Sequence, residues 1–368
     1  GICFGTFPPE RNGGSDFVAR FARALADEGC AVHVLTSSGA APPVEEVADN
    51  VTVHRIVGDW SWRGGRDSLR RLSATLRVVD YQLVHLFFPD SVIDRRYQLP
   101  SLIGLGRLPL VTTFWSLGLG ARSPLSLRLA SVGLLARSKV VSSHDPGYLA
   151  ALRTLVAGRK PVEWLPVGSN FEPVERSQRD GPVTLGFFGQ LDFTRGVDTL
   201  FEALARLGRP DVRLVMLGSA GRPERYGDDP EFARLTALPG RLGIADQVEW
   251  TGYLDEDEVS RRLAELDLCV LPYRRNSLGR SALAAALAAG TPVVLAGEPD
   301  RIAPLVAGRD VALVRPDDPA ALAATLGRLI DDPGERARLA DGAKRAARHF
   351  AWPRIAARAI DIYREALR

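Results

Sequence analysis

Short apolar runs alternate with amphipathic stretches along the whole chain. The runs that predict strands are Ile2 to Phe7, 31–36, 51–56, 83–88, 109–114 and 139–142, followed by a second series at 183–189, 212–217, 247–251, 267–272 and 292–296. They are nearly continuous in Val, Leu, Ile and Phe rather than alternating with polar residues. Both faces of such strands are covered, as in parallel sheets flanked by helices. Between the runs the period changes to that of a helix: Phe17, Val18, Phe21 and Leu25 form one apolar stripe. Asp255 with Glu258 reads as a capping box, and Asp318-Pro319 and Asp332-Pro333 place proline at a first helical position. Two series of five or more strands predict an α/β fold of two doubly wound, Rossmann-like domains facing a cleft. The first domain spans 1–168, a polar Pro/Gly-bearing linker covers 169–182, and the second domain spans 183–352. A last helix, 353–368, starts at Trp352-Pro353 and is counted with the first domain. The length of 368 residues agrees with two cores rather than one.

Composition narrows the class. Hydrophobic residues make up 46% and charged residues 25%, as in a folded enzyme. The net charge is only +3, and residues 1–170 carry 19 basic against 14 acidic groups, so the positive excess lies in the first half. That excess suits an anionic ligand or an acidic membrane surface, but it is no basic stripe, and no nucleic-acid partner is expected. Cys3, Cys30 and Cys269 lie in apolar stretches without a disulfide or CxxC spacing, as in a reducing compartment. No signal peptide is visible and no apolar run reaches the roughly 18 residues of a membrane span, so a cytoplasmic location is expected. The chain opens inside an apparent strand, and a residue or two is expected upstream. Lysine occurs only at 139, 160 and 344, which points to a GC-rich, bacterial genome.

In open α/β sheets ligands bind beyond the carboxyl ends of strands, and three loops there carry chemistry. Pro8-Pro9-Glu10-Arg11-Asn12-Gly13-Gly14-Ser15 joins the first strand to the first helix; its glycines let backbone approach a ligand and the helix N-terminus offers free N–H groups. Gly186 to Asp198 is again strand to helix, with Arg195 just before the helix, in reach of a phosphate. Leu271-Pro272-Tyr273-Arg274-Arg275-Asn276-Ser277-Leu278-Gly279-Arg280-Ser281 opens an Ala-rich helix and combines amides, a dipole and three arginines.

With Gly189-x-Leu191, Arg195-Gly196-Val197-Asp198, Val248-Glu249-Trp250-Thr251-Gly252-Tyr253-Leu254, Asp267 to Pro272, Ala288-Ala289-Gly290-Thr291-Pro292-Val293-Val294 and Phe350-Ala-Trp352, these loops form an ordered set. In that order the chain resembles family 4 of the retaining GT-B glycosyltransferases over nearly its whole length. The resemblance implies that the second domain binds a nucleotide sugar, with the base near Tyr253 and Leu254 and the diphosphate on Arg195 and the helix start Gly279-Arg280-Ser281. Gly189, Gln190, Gly218, Arg274, Ser277 and Leu278 complete that donor set, with Gly13 and Gly14 contributed by the first domain. The first domain would bind the acceptor, with Asn12, His85, Trp115 and His144 as candidates. No metal and no resident cofactor are implied; the nucleotide sugar, UDP- or GDP-linked, is a cosubstrate.

Departures from the family pattern mark a variant. Two glutamates eight positions apart are usual in the third loop, and here those places fall near Asn276 or Ser277 and Ala284 or Ala285. Gln190 stands where an arginine is usual, Arg195 where a lysine is usual, and Trp115 lies where a histidine often follows the fourth strand. Arg195 and Arg280 are the expected leaving-group stabilisers, supported by Arg274 and Arg275. His85 and His144, near strand ends, are the candidate general bases, whereas His33 and His54 sit inside strand patterns and His349 on a late helix. The expected activity is metal-independent retaining transfer from a nucleotide sugar to a small-molecule or lipid acceptor, as in natural-product biosynthesis. A sugar-nucleotide epimerase and a non-catalytic nucleotide-sugar-binding protein are the alternatives. Gly104-Leu-Gly106 and Gly118-Leu-Gly120 lack the full dinucleotide fingerprint. Peripheral membrane contact would involve the basic stretch Arg63 to Arg77 and is not favoured over a small-molecule acceptor.

Overall fold

A computed structural model describes residues 1–10, 13–38, 44–58, 65–88, 108–120, 123–171, 175–176, 181–218, 229–275 and 278–368. The chain divides into two units, Gly1–Val167 with Trp352–Arg368, and Gly168–Ala351.

The first unit is built on strands β1 (Ile2–Cys3), β2 (Val32–Ser37), β3 (Val44–Ala48), β4 (Val51–Val57), β5 (Val84–Phe88), β6 (Leu110–Phe114), β7 (Val140–Ser143) and β8 (Val162–Trp164). Their order across the sheet is β3-β4-β2-β1-β5-β6-β7-β8. Every pairing is parallel except the edge hairpin of β3 with β4. Helices α1 (Gly13–Asp27), α2 (Gly65–Val78), α3 (Leu125–Arg137), α4 (Pro146–Val156) and the closing helix Trp352–Ala366 belong to this unit. Phe17, Val18, Phe21 and Leu25 of α1 are buried as the helical period requires, in one core with Ile355, Ala356, Ala359 and Ile362 of the closing helix. Leu72, Leu76, Leu127 and Leu134 fill a second core with Cys3, Leu35, Phe88 and Phe114. Each fully buried side chain of this size contributes roughly 1.5–3 kcal/mol.

The second unit carries β9 (Thr184–Phe188), β10 (Arg213–Leu217), β11 (Val248–Trp250), β12 (Leu268–Leu271), β13 (Val293–Ala296) and β14 (Ala312–Val314), in the order β11-β10-β9-β12-β13-β14, all parallel. Its helices are α5 (Val197–Leu207), α6 (Pro230–Arg241), α7 (Glu256–Glu265), α8 (Ser281–Ala288), α9 (Pro319–Asp331) and α10 (Pro333–Ala347). Strand order reverses between β9 and β12, and in the first unit between β1 and β5. Reversal splays the following loops to opposite faces and opens a crevice at the carboxyl ends. Gly186 lies on this seam, paired with Cys269; an added Cβ would come within 2.2 Å of the Leu266 side chain.

Three strands escaped the sequence pattern. β3 is an edge strand with the mixed sequence VEEVA, and β8 and β14 are only three residues long. β1 is shorter than the apolar run Ile2 to Phe7, although Phe4 N still donates to Leu35 O. Among the described residues, no helix is long and apolar enough to cross a membrane.

Candidate active site

The loops after β9 and β12 flank the reversal in the second unit, and glycine brings them together. Gly196 has φ 65°, and a Cβ there would lie 2.0 Å from the Pro272 carbonyl oxygen. Gly189 has φ 147°, and its open side faces Arg195 Nη1, 3.3 Å from where a Cβ would stand. A side chain at Gly196 would push the Pro272 backbone away from the turn, and one at Gly189 would crowd the Arg195 guanidinium.

That turn is one short 3-10 turn, Phe193–Arg195, capped by Asp192. Asp192 Oδ1 accepts from the Thr194 amide at 2.8 Å and from the Thr194 hydroxyl, and Oδ2 accepts from Arg195 Nε at 3.3 Å. Thr194 Oγ1 in turn accepts from Arg280 Nη2 at 3.0 Å. The guanidiniums of Arg195 and Arg280 lie 5.5 and 5.0 Å from the centre of the Tyr273 ring, which is fully buried. Burial alone would raise the Asp192 carboxyl, but the Thr194 hydrogen bond and the charges of Arg195 and Arg280 hold it below the ordinary carboxylate value. Burial likewise raises the Tyr273 phenol against the lowering influence of the two arginines. Arg280 occupies the cap position of α8 and gives it no side-chain hydrogen bond. Arg280 thus stands at the positive end of a helix dipole, with the Arg195 guanidinium at the same tyrosine ring.

Other expected donor residues fall in different surroundings. Gln190 and Tyr253 are exposed, and Leu254 and Ser281 are half-buried. Leu278 is buried. Gly218, with φ 67°, donates its amide to Thr251 Oγ1 at 3.1 Å. Ser277 lies outside the described residues, as does Asn12. Arg274 requires a correction. Its guanidinium binds Asp198 at 2.9 Å, Asp317, and the Phe193 carbonyl at 2.6 Å, and it covers the Phe193 ring at 4.3 Å. With those partners it fastens the turn to α5 rather than reaching a ligand. Asp192, Thr194 and Tyr273 were not singled out from sequence. The signal for the first two is local, an Asx-type cap two residues before a Thr-Arg pair, but their link to Arg280 spans 86 residues.

In the first unit, α1 begins at Gly13, which is exposed, with Gly14 half-buried behind it. Arg55, paired to Glu46 at 2.7 Å, donates to the Pro8 carbonyl and so fixes the loop leading there. The two histidines expected as accessible bases are enclosed. His85 bridges Tyr363 Oη at 2.8 Å and Thr113 Oγ1 at 2.6 Å, and Thr113 continues to Ser142 at 2.6 Å. Both ring nitrogens are engaged, so it ties strands to the closing helix and is no free base. His144 Nδ1 lies 2.6 Å from the Leu165 carbonyl and therefore carries the proton, and its Nε2 lone pair meets no donor among the described residues. Its ring packs against Phe17, Phe87 and Trp115, with centroids 5.0, 6.0 and 4.6 Å away. Burial pushes His144 down to about 4 and His85 well below the ordinary imidazole range. Among the described residues, the Trp115 indole N–H is buried without a partner. Among the described residues, no group of three or more His, Cys, Asp and Glu is placed to hold a metal ion.

Two family models match the chain: "Glycosyltransferase Family 4" over residues 11–141 and "Glycosyl transferases group 1" over residues 182–332. A D-inositol 3-phosphate glycosyltransferase of Xylanimonas cellulosilytica is 38% identical over 51% of this chain, a match that spans only 43% of that relative. D-inositol 3-phosphate glycosyltransferase 1 of Catenulispora acidiphila is 28% identical over 98% of this chain and 94% of its own length. Among solved structures, sucrose-phosphate synthase from Thermosynechococcus elongatus superposes with a TM-score of 0.79 at 20% identity, covering 99% of this chain and 98% of that one. Anabaena HepE in complex with UDP-glucose gives 0.73 at 18% identity, covering 98% of both chains. With two family models over its two sheets, the ordered motifs on their loops and this agreement in fold, the chain belongs to the family 4 glycosyltransferases and has the GT-B fold.

Proposed function

We propose that this glycosyltransferase moves a sugar from a UDP- or GDP-linked donor to the hydroxyl of a small acceptor, with retention at the anomeric carbon and without a metal ion. The observation that carries this reading is the pair of guanidiniums, Arg195 and Arg280, converging on Tyr273 beside the start of α8. As the anomeric C–O bond breaks, negative charge grows on the departing diphosphate. Two fixed cations and the first amides of α8 stabilise that charge without having to reorganise. Retention brings the acceptor oxygen in on the face from which the phosphate leaves. The departing phosphate oxygen is then in place to take the acceptor's proton, which removes the need for a free side-chain base. That agrees with the engaged state of His85.

The acceptor site is proposed in the first unit, around Gly13, Gly14 and Trp115. The relatives' printed names make inositol 3-phosphate the first acceptor to try. The test is turnover of UDP- and GDP-sugars with inositol 3-phosphate and a panel of small alcohols, in the presence of a chelator, with the product anomer read by NMR. Retained configuration in the chelated reaction and a loss of two or more orders of magnitude in Arg280→Ala are expected. Wild-type kinetics in that variant, or abolition by the chelator, overturns the reading.

A further inference from the structure

We propose that Asp192 and Thr194 are positioning residues that aim the Arg195 and Arg280 guanidiniums at a single diphosphate. This rests on the reading of the site given above. Arginine side chains are long and freely rotating, and a ligand that must order two of them loses affinity to that ordering. Here the ordering is built in by one carboxylate. Asp192 Oδ2 holds Arg195 by Nε, and Gly189 leaves room for Nη1 of the same group. Asp192 Oδ1 accepts a hydrogen bond from the Thr194 hydroxyl, which turns the Oγ1 lone pairs toward Arg280 Nη2. The threonine hydroxyl is thus donor on one side and acceptor on the other, and a single rotamer choice sets the second arginine. The Thr194 carbonyl also accepts from the Arg274 amide at 3.0 Å, so the turn is fastened to the loop that carries Arg280.

The alternative role for Asp192, a counter-charge that merely offsets two cations, predicts the opposite sign. Removing a carboxylate beside an anion site makes the site more positive and tightens anion binding. Removing an aiming group loosens it. Thr194 is neutral, so its replacement tests aiming with no change in charge, and Thr194→Val keeps the side-chain volume.

The experiment is calorimetric titration of the full chain with UDP and GDP, with uridine and guanosine followed by saturation-transfer NMR. We expect Arg195→Ala and Asp192→Ala each to weaken binding of the recognised diphosphate about tenfold. Thr194→Val should weaken it several-fold, Thr194→Ser should restore it, and nucleoside binding should stay within about twofold. Because Asp192 acts through Arg195 and Arg280, the two single losses should not multiply in Asp192→Ala/Arg195→Ala. Equal or tighter diphosphate binding by Asp192→Ala and Thr194→Val, with Arg195→Ala still impaired, overturns the positioning role; so does full multiplicativity in the double variant. Unchanged binding in Arg195→Ala overturns the site reading itself, and the positioning role with it. Thermal unfolding of each variant separates these results from a loss of fold, since a merely structural defect would weaken nucleoside and diphosphate binding together.

Discussion

Gly196 and Gly208 bracket the same helix, α5, with nearly the same backbone, φ 65° and 62°. Their surroundings differ completely. A Cβ on Gly208 meets nothing within 4 Å, whereas one on Gly196 would stand 2.0 Å from the Pro272 carbonyl oxygen, when real Cβ contacts do not fall below 3.0 Å. Alanine at either position pays the left-handed penalty of about 1–2 kcal/mol. Gly196→Ala adds a displacement of at least an ångström against backbone, which cannot rotate away as a side chain can; overpacking of this kind costs about 1–3 kcal/mol. The expected losses are therefore about 1–2 kcal/mol for Gly208→Ala and about 2–5 kcal/mol for Gly196→Ala. For a unit of this size each kcal/mol lowers Tm by about 2–4 °C. Pro272 leads directly into Tyr273, so Gly196→Ala should also weaken diphosphate binding, while Gly208→Ala should leave it unchanged. Calorimetric unfolding and titration with UDP and GDP check both halves. Equal Tm losses in the two variants, or unaltered binding in Gly196→Ala, would refute the claim that close approach of these loops builds the site.

Three further outcomes are expected. Arg274→Met should lower stability by about 1–2 kcal/mol, between the values for exposed and buried ion pairs because Arg234 still holds Asp198 at 2.9 Å; a large loss of diphosphate affinity at unchanged Tm would return Arg274 to the ligand. His85→Leu should cost about 1–3 kcal/mol by stranding the Tyr363 hydroxyl, while Thr113 keeps its bond to Ser142, with nucleotide binding preserved, and a selective loss of binding would contradict the structural role. His144 has its folded pKa pushed down to about 4 from an ordinary value of 6.5. The unfolded chain therefore takes up the proton first, and stability should fall as pH drops from about 6.5 toward 4, by on the order of 3 kcal/mol in total. His144→Gln should flatten that part of the pH–stability curve, and parallel curves for wild type and variant would show that the burial has been misjudged.

Much of the fold is legible in the chain because its signals are local. The stripe Phe17-Val18-Phe21-Leu25, the Asp-Pro helix starts and the continuous apolar strands each depend on neighbours within one or two turns, and burial follows them. β3 was missed because an edge strand needs only one covered face and tolerates Glu45 and Glu46. β8 and β14 are too short to establish a period. At the site, Arg195 and Arg280 stand out in the sequence because each follows a buried strand and precedes a helix, and the structure brings both to the Tyr273 ring. The same reasoning over-counted Arg274 and misread His85, since a strand-end position says where a backbone lies and not what its side chain touches.

The sequence by itself determined that this is a two-sheet α/β protein, where its strands and helices fall, and which loops follow strand ends. Those features come from periodicity and from turn and cap chemistry, which act over a few residues. Only the tertiary structure decided that β9 and β12 lie side by side, that Pro272 presses on Gly196, and that Thr194 reaches Arg280. It likewise decided that Arg274 is bound to Asp198 and that His85 is bound to Tyr363, 278 residues away. The physical reason is that a hydrogen bond or an ion pair is fixed by distance and direction in space. Strand order and loop packing set those distances, and no periodicity along the chain encodes them.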